Sequence, residues 1–207
     1  RWFAVCSNIL GGGQGTTGPA SVNPATGEPY ALDFPLLHME DFVEVHRRLA
    51  RHLGIEKFAA VVGGSLGGMQ VLQWALSYPA EVGRAVVIAA SSRLTAQNIA
   101  FSAVGRSAIM RDSGFHDGRF LTAGTAPRKG LAVARMMAHI TYLSEEAFEE
   151  KFGRDAQRGE LSVDFGVDFA VESYLEHQGE RFLSRFDALS YLYLTRVMDY
   201  FDPFADE

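Results

Sequence analysis

The stretch Phe58-Ala59-Ala60-Val61-Val62-Gly63-Gly64-Ser65-Leu66-Gly67 decides the fold. A short uncharged apolar run leads into a G-x-S-x-G turn, and residues 66–77 then follow a mostly apolar helical pattern. Strand, sharp turn and helix in this order predict a strained backbone at Ser65, with its hydroxyl exposed as a nucleophile. The backbone N–H of Leu66 is then placed to donate to the oxyanion that forms when Ser65 attacks an acyl carbon.

The same five residues also fit a simpler structure. A glycine-rich turn between a strand and a helix can carry a serine that only caps the helix. The apolar strand before the turn and the apolar helix after it favour the nucleophile. Both interpretations of Ser65 stay open on these residues alone.

Strands and helices alternate in the first part of the chain. Strands are predicted over 2–6, 58–62 and 84–90, and helices over 41–53 and 66–77. Single helices between strands are typical of a parallel sheet, so residues 1–92 are predicted to form part of an α/β domain.

The pattern becomes helical after residue 92. Helices are predicted over 99–110, 130–138, 144–152, 167–179 and 190–201. Ser144 precedes two glutamates, as expected at a helix N-terminus. An all-helical block over 93–207 predicts an insertion in the position of a lid over a pocket.

Composition and charge exclude several classes of partner. The chain has 207 residues, a net charge of −6 and 47% hydrophobic residues, which argues against nucleic acid or an anionic membrane surface as a main partner. No apolar run is long enough to span a bilayer, and no secretory signal opens the chain, so a cytoplasmic location is expected. Arg47, Arg48 and Arg51 are predicted on a solvated helix face.

Cofactor, metal and thiol chemistry find little support. Residues 13–18 spell G-x-G-x-x-G, but prolines and glycines follow where a dinucleotide site needs a helix. No zinc or EF-hand spacing occurs, so neither a metal nor a bound cofactor is predicted. The single cysteine, Cys6, is expected to be a buried inert thiol within strand 2–6.

The histidines indicate no base for Ser65. His46 and His52 are predicted at the surface or boundary of the first long helix. His139 is interpreted either as lining a pocket or as packing between helices.

Longer strings along the chain carry a more specific signal. They lie at 6–8, 14–19, 61–70, 95–101, 130–132, 139–144, 171–175, 185–187 and 198–202. In these strings the chain resembles the homoserine O-acyltransferases of the α/β-hydrolase superfamily, over essentially its whole length. The resemblance implies a partial α/β-hydrolase core followed by a helical lid.

The resemblance also implies a reaction. An acyl group passes from a coenzyme A thioester to Ser65 and then, in a ping-pong cycle, to the hydroxyl of L-homoserine in methionine biosynthesis. Acetyl-CoA is the expected donor and succinyl-CoA the close alternative. A serine O-acyltransferase, an esterase with the same turn, or a binding module that has lost its catalytic triad are the other possibilities.

Two lid residues gain roles from the resemblance. Arg135 matches an arginine that holds the amino-acid carboxylate, and Tyr142 matches a tyrosine of the same pocket. A guanidinium fork suits a carboxylate, although a surface ion pair is the alternative for Arg135. The resemblance further implies a homodimer through lid helices, with residues 140–152 and their helical neighbours as candidates.

The chain departs from the family pattern in two respects. The triad Asp and His and the second oxyanion donor have no counterpart in these residues. Because a serine without a base is a weak nucleophile, the 207-residue chain alone is expected to be inactive.

Overall fold

The computed structural model describes residues 2–205, which divide into two compact units. One unit takes in 2–99 and 189–205, and the other takes in 100–188. The predicted division into 1–92 and 93–207 marks the point in the sequence where a lid is inserted. The two units instead group residues that pack together, so the predicted division stays a prediction.

A parallel pair of strands forms the sheet of the first unit. Strand β1 (Val61–Gly64) pairs with β2 (Ala85–Ile88), and the register runs from Val61 opposite Ala85 to Gly64 opposite Ile88. Parallel neighbours need a crossover connection, and here helix α2 (Leu66–Ser77) and a short 3-10 helix (Pro79–Glu81) supply it. The predicted parallel α/β arrangement is confirmed, and α2 has its predicted bounds.

Helices make up most of the remaining regular structure within residues 2–205. They are α1 (Met39–His52), α3 (Ala96–Met110), α4 (Phe120–Ala123), α5 (Arg128–Ile140), α6 (Glu145–Phe152), α7 (Ala170–Leu183) and α8 (Ala188–Tyr200). The predicted helix start at Ser144 is confirmed, because its hydroxyl accepts from the backbone N–H of Ala147.

Helix α8 belongs to the first unit although it comes last in the chain. The Tyr193 hydroxyl lies 2.7 Å from the carbonyl oxygen of Phe34 and 3.0 Å from that of Leu32. Leu189 is fully buried, as is Phe42 of α1. The core of this unit therefore combines residues from both ends of the chain.

The segment at 2–6 does not form the predicted buried strand. Residues 2–9 adopt no regular structure, and the side chains of Trp2 and Phe3 are 83% and 76% exposed. Cys6 is exposed rather than buried. A strand requires a hydrogen-bonded neighbour, and the part of the chain described here supplies none to this segment. An apolar run alone was an insufficient signal.

Arg47 corrects a second expectation. Its side chain is buried against Glu81, with Nε 2.9 Å from Oε2 and Nη2 2.6 Å from Oε1. The guanidinium also lies 3.3 Å from the centroid of the Tyr78 ring. The predicted solvated face is wrong for Arg47 and correct for Arg48 and Arg51, which are mostly exposed.

Residues 2–205 contain neither a helix that could span a membrane nor a cluster of potential metal ligands. None of their helices combines the length and apolar composition that crossing a membrane requires. No three His, Cys, Asp or Glu side chains cluster there as metal ligands would.

Candidate active site

Ser65 occupies the sharp turn between β1 and α2. Its backbone has φ 53° and ψ −123°, a region that L-residues rarely adopt. The turn is fixed on both sides: Ser65 N–H donates to the carbonyl of Ile88 (2.9 Å), and its own carbonyl accepts from Gly68 (2.8 Å). Strain of this kind costs about 1–3 kcal/mol and persists only where the surroundings hold it, as they do at functional sites.

The Ser65 side chain does not cap the helix. It stands at the N-cap position of α2 but makes no capping hydrogen bond, and the residue is exposed. The capping alternative therefore fails on geometry. The hydroxyl remains available to react, and its role as nucleophile stays a prediction.

Glycines let the turn close tightly. A Cβ at Gly63 would collide with the carbonyl of Gly67, and a Cβ at Gly68 would lie 2.6 Å from the Cβ of Ala90. Helix α2 thus packs directly on the backbone of β1 and on the end of β2. This close approach sets the angle at which Ser65 leaves the strand.

Leu66 is the first residue of α2, as its predicted oxyanion role requires. The first N–H groups of a helix have no acceptor within the helix, and the helix dipole gives this end a partial positive charge. The Leu66 N–H is therefore suited to a developing oxyanion beside Ser65. That role also stays a prediction.

No base accompanies Ser65 among the described residues, where its hydroxyl makes no hydrogen bond. The histidine His46 is engaged elsewhere: its Nδ1 lies 3.0 Å from the Ser7 hydroxyl and its Nε2 2.8 Å from Oε1 of Gln70. His46 is half-buried and His52 exposed, which confirms their predicted surface or boundary positions.

The second unit brings Arg135 and Tyr142 together. Nη1 of Arg135 donates to the Tyr142 hydroxyl (3.1 Å), and its guanidinium carbon lies 4.7 Å from the centroid of the Phe182 ring. No carboxylate within residues 2–205 forms an ion pair with Arg135. The surface ion-pair alternative therefore fails, and the guanidinium can accept an anionic ligand.

His139 is a member of this group to which sequence reasoning gave no definite role. It is 8% exposed, and its Nδ1 lies 2.8 Å from the Tyr174 hydroxyl. Burial, and then the positive charges of Arg135 and Lys151, lower the pKa of the imidazole and favour its neutral form. The spacing of Arg135, His139 and Tyr142 at i, i+4 and i+7 was the signal that could have identified it.

The two groups suit different chemistry. A strained, exposed serine beside free helix N–H groups suits acyl transfer. An arginine among aromatic rings, with no ion-pair partner within residues 2–205, suits a carboxylate. Each group lies within one unit: Ser65 and Leu66 in the first, and Arg135, His139 and Tyr142 in the second.

The chain is similar to proteins of known family and name. A protein-family model described as alpha/beta hydrolase fold matches residues 1–200. A homoserine O-succinyltransferase from Nocardioides sp. is 61% identical over 100% of this chain and 56% of its own length. A homoserine O-acetyltransferase from Caulobacter vibrioides is 58% identical over 98% of this chain and 53% of its own length.

A solved structure of similar fold is an esterase. The crystal structure of esterase E22 matches with a TM-score of 0.79 and 31% identity, over 90% of this chain and 51% of that one. The chain thus spans about half the length of the relatives it matches.

Proposed function

The chain belongs to the alpha/beta hydrolase fold family, and on that premise we propose that it carries the nucleophile and amino-acid site of a homoserine O-acyltransferase. The observation that carries the proposal is the backbone of Ser65, at φ 53° and ψ −123°, with a hydroxyl that caps nothing. The high identity to homoserine acyltransferases supports the choice of reaction.

The first half-reaction forms an acyl-serine. The Ser65 oxygen attacks the thioester carbon of acyl-CoA and gives up its proton to a base. The carbonyl oxygen becomes an oxyanion, which the Leu66 N–H stabilises. Collapse breaks the carbon–sulfur bond, so coenzyme A leaves as the thiol and the acyl group stays on Ser65.

The second half-reaction transfers the acyl group to the amino acid. Arg135 holds the carboxylate of L-homoserine through a charge-assisted hydrogen bond, with Tyr142 beside it. The hydroxyl of homoserine attacks the acyl-serine, and the released Ser65 oxygen regains a proton. The products are O-acylhomoserine and free enzyme.

The donor in this proposal is acetyl-CoA, with succinyl-CoA as the alternative. Relatives named for each donor match at 58% and 61% identity, so identity favours neither. Incubating the full-length protein with each acyl-CoA and measuring the mass added to Ser65 decides the donor. An ester on any other residue would contradict the assignment of the nucleophile.

An esterase with the same turn is the competing function, and the similarity to esterase E22 is what favours it. Water and an alcohol discharge an acyl-serine by the same chemistry. Acyl-CoA consumption is therefore measured with homoserine, with serine and with neither. Homoserine-dependent consumption supports the transferase, serine-dependent consumption indicates a serine O-acyltransferase, and equal rates in all three indicate a hydrolase.

We place the enzyme in the cytoplasm, in methionine biosynthesis, as a homodimer through the lid helices at 93–207. Two apolar side chains of α5, Val133 and Ile140, are each 45% exposed. Exposed apolar surface on a lid helix supports an interface there. Light scattering on the full-length protein tests the dimer.

A further inference from the structure

Two nitrogen atoms of α5 are buried without a hydrogen-bond partner among the described residues. They are Nε of Arg135 and Nε2 of His139. A buried polar group left unpaired costs about 1–3 kcal/mol, and native proteins pair nearly all of them. The two residues are four apart and so lie on one face of the helix. One ligand group can therefore satisfy both atoms.

The tautomer of His139 decides whether Nε2 donates or accepts. A phenol O–H is a stronger donor than the N–H of a neutral imidazole, and an imidazole nitrogen is a stronger acceptor than a phenol oxygen. Tyr174 therefore donates to Nδ1, and the neutral imidazole carries its proton on Nε2.

Both nitrogens without a partner are then donors. We propose that Nε–H of Arg135 and Nε2–H of His139 together bind the carboxylate of the amino-acid acceptor, with Tyr174 as the residue that fixes the tautomer. The inference rests on the proposed function and adds His139 and Tyr174 to its substrate site. A carboxylate fits because its two oxygens can accept one hydrogen bond each.

Tyr142 borders both donors from outside the helix. Its ring centroid lies 5.1 Å from that of His139, its hydroxyl accepts from Arg135, and the residue is 58% exposed. It lies two positions beyond the last residue of α5, whereas Arg135 and His139 lie within the helix. The Tyr142 hydroxyl therefore lies beside the place where a carboxylate would bind these two donors.

The test removes one donor and keeps the contact to Tyr174. In the full-length protein, His139→Asn places an amide near the position of Nδ1 but nothing at Nε2. The KM for homoserine is expected to rise about tenfold, the loss of one hydrogen bond to a charged group. The rate of Ser65 acylation by acyl-CoA should not change. His139→Gln, which places an amide near Nε2, should recover part of the loss.

A second substrate separates binding of the carboxylate from a structural effect. Homoserinol has an alcohol in place of the carboxylate, so wild type should prefer homoserine, and His139→Asn should reduce that preference about tenfold. Tyr174→Phe should reduce the preference in the same direction, because the tautomer is no longer fixed. The matched control is His177→Asn, at an exposed histidine of α7, which should leave the preference unchanged.

Three results would overturn the inference: an unchanged homoserine KM in His139→Asn, equal losses for homoserine and homoserinol, or a raised KM for acyl-CoA. The last would mean that the donors bind a phosphate of coenzyme A instead. Absence of homoserine-dependent turnover in wild type is a separate result, since it overturns the proposed function itself.

Discussion

Nη2 of Arg47 lies 2.6 Å from Oε1 of Glu81, which ties α1 to the 3-10 helix that follows α2. The arginine is buried, and the indole N–H of Trp74 donates to the other carboxylate oxygen of Glu81 (3.1 Å). Arg47→Ala would leave the carboxylate without its main partner and is expected to destabilise the fold by about 3 kcal/mol. Urea unfolding measures the change.

Arg48 provides the control for that substitution. It pairs with Glu44, but its side chain is 77% exposed. Arg48→Ala should therefore change the free energy of unfolding by less than about 1 kcal/mol. If both alanine variants lost the same free energy of unfolding, burial would not explain the larger contribution expected of Arg47.

Stability should fall in acid because of the same pair. The hydrogen bond from Arg47, together with that from Trp74, holds the pKa of Glu81 below its ordinary value of 4.5. A carboxyl whose pKa is lower in the folded state stabilises it fully above that ordinary value, and the effect is lost as pH falls through the folded pKa. Urea midpoints measured from neutral pH to below 4.5 should show this loss, and Glu81→Gln should flatten that part of the curve.

Backbone strain at Ser65 predicts opposite effects on stability and activity. Glycine adopts φ 53° without the penalty that a Cβ imposes, whereas alanine retains it. Ser65→Gly should thus be more stable than Ser65→Ala by about 1 kcal/mol. Both variants should lose acyl transfer. Thermal unfolding of the two proteins compares them, and a less stable glycine variant would show that the turn is unstrained.

The two adjacent glycines of α2 should respond differently to alanine. A Cβ at Gly68 would lie 2.6 Å from the Cβ of Ala90, while one at Gly67 would have no atom within 4 Å. Gly68→Ala should destabilise by about 1–3 kcal/mol, and Gly67→Ala should be neutral or stabilising by up to about 1 kcal/mol. Denaturant midpoints of the two variants measure the difference. Similar losses of stability at Gly67 and Gly68 would contradict the close packing of Gly68 against Ala90.

The 207-residue chain alone should give no acylation burst with acetyl-CoA or succinyl-CoA. Within residues 2–205 the Ser65 hydroxyl has no hydrogen-bonded base, so it should react slowly. Rapid-quench mass spectrometry of Ser65 is the measurement, with the full-length protein as the positive control. An ester that forms at the same rate on the chain alone would show that the described residues contain the base.

Sequence patterns predicted the elements whose structure depends on neighbouring residues in the chain. Helix α2 could be placed because a glycine turn begins it and Pro79 follows it. The Ser65 turn could be placed because strand, glycines and helix occur in order along the chain. Arg135 and Tyr142 came from the resemblance rather than from any local rule.

Distant partners account for the errors. The run at 2–6 has the composition of a buried strand, but composition does not supply a neighbouring strand. Arginine is typically a surface residue. The burial of Arg47 depends on its partner Glu81, which is 34 positions away along the chain. Helical spacing brings His139 near Arg135, but the partner of its Nδ1, Tyr174, lies 35 positions along the chain, and no local pattern indicates it.

The return of α8 to the first unit has a consequence for biosynthesis. Tyr193 reaches the carbonyl of Phe34 across 159 positions of sequence, and Leu189 fills the same core. During synthesis the N-terminal portion of the first unit leaves the ribosome well before α8 does. About ninety residues of the other unit are made in between, and until α8 follows them the core of the first unit stays incomplete. Premature termination before α8 would thus damage the half of the molecule that was synthesised first.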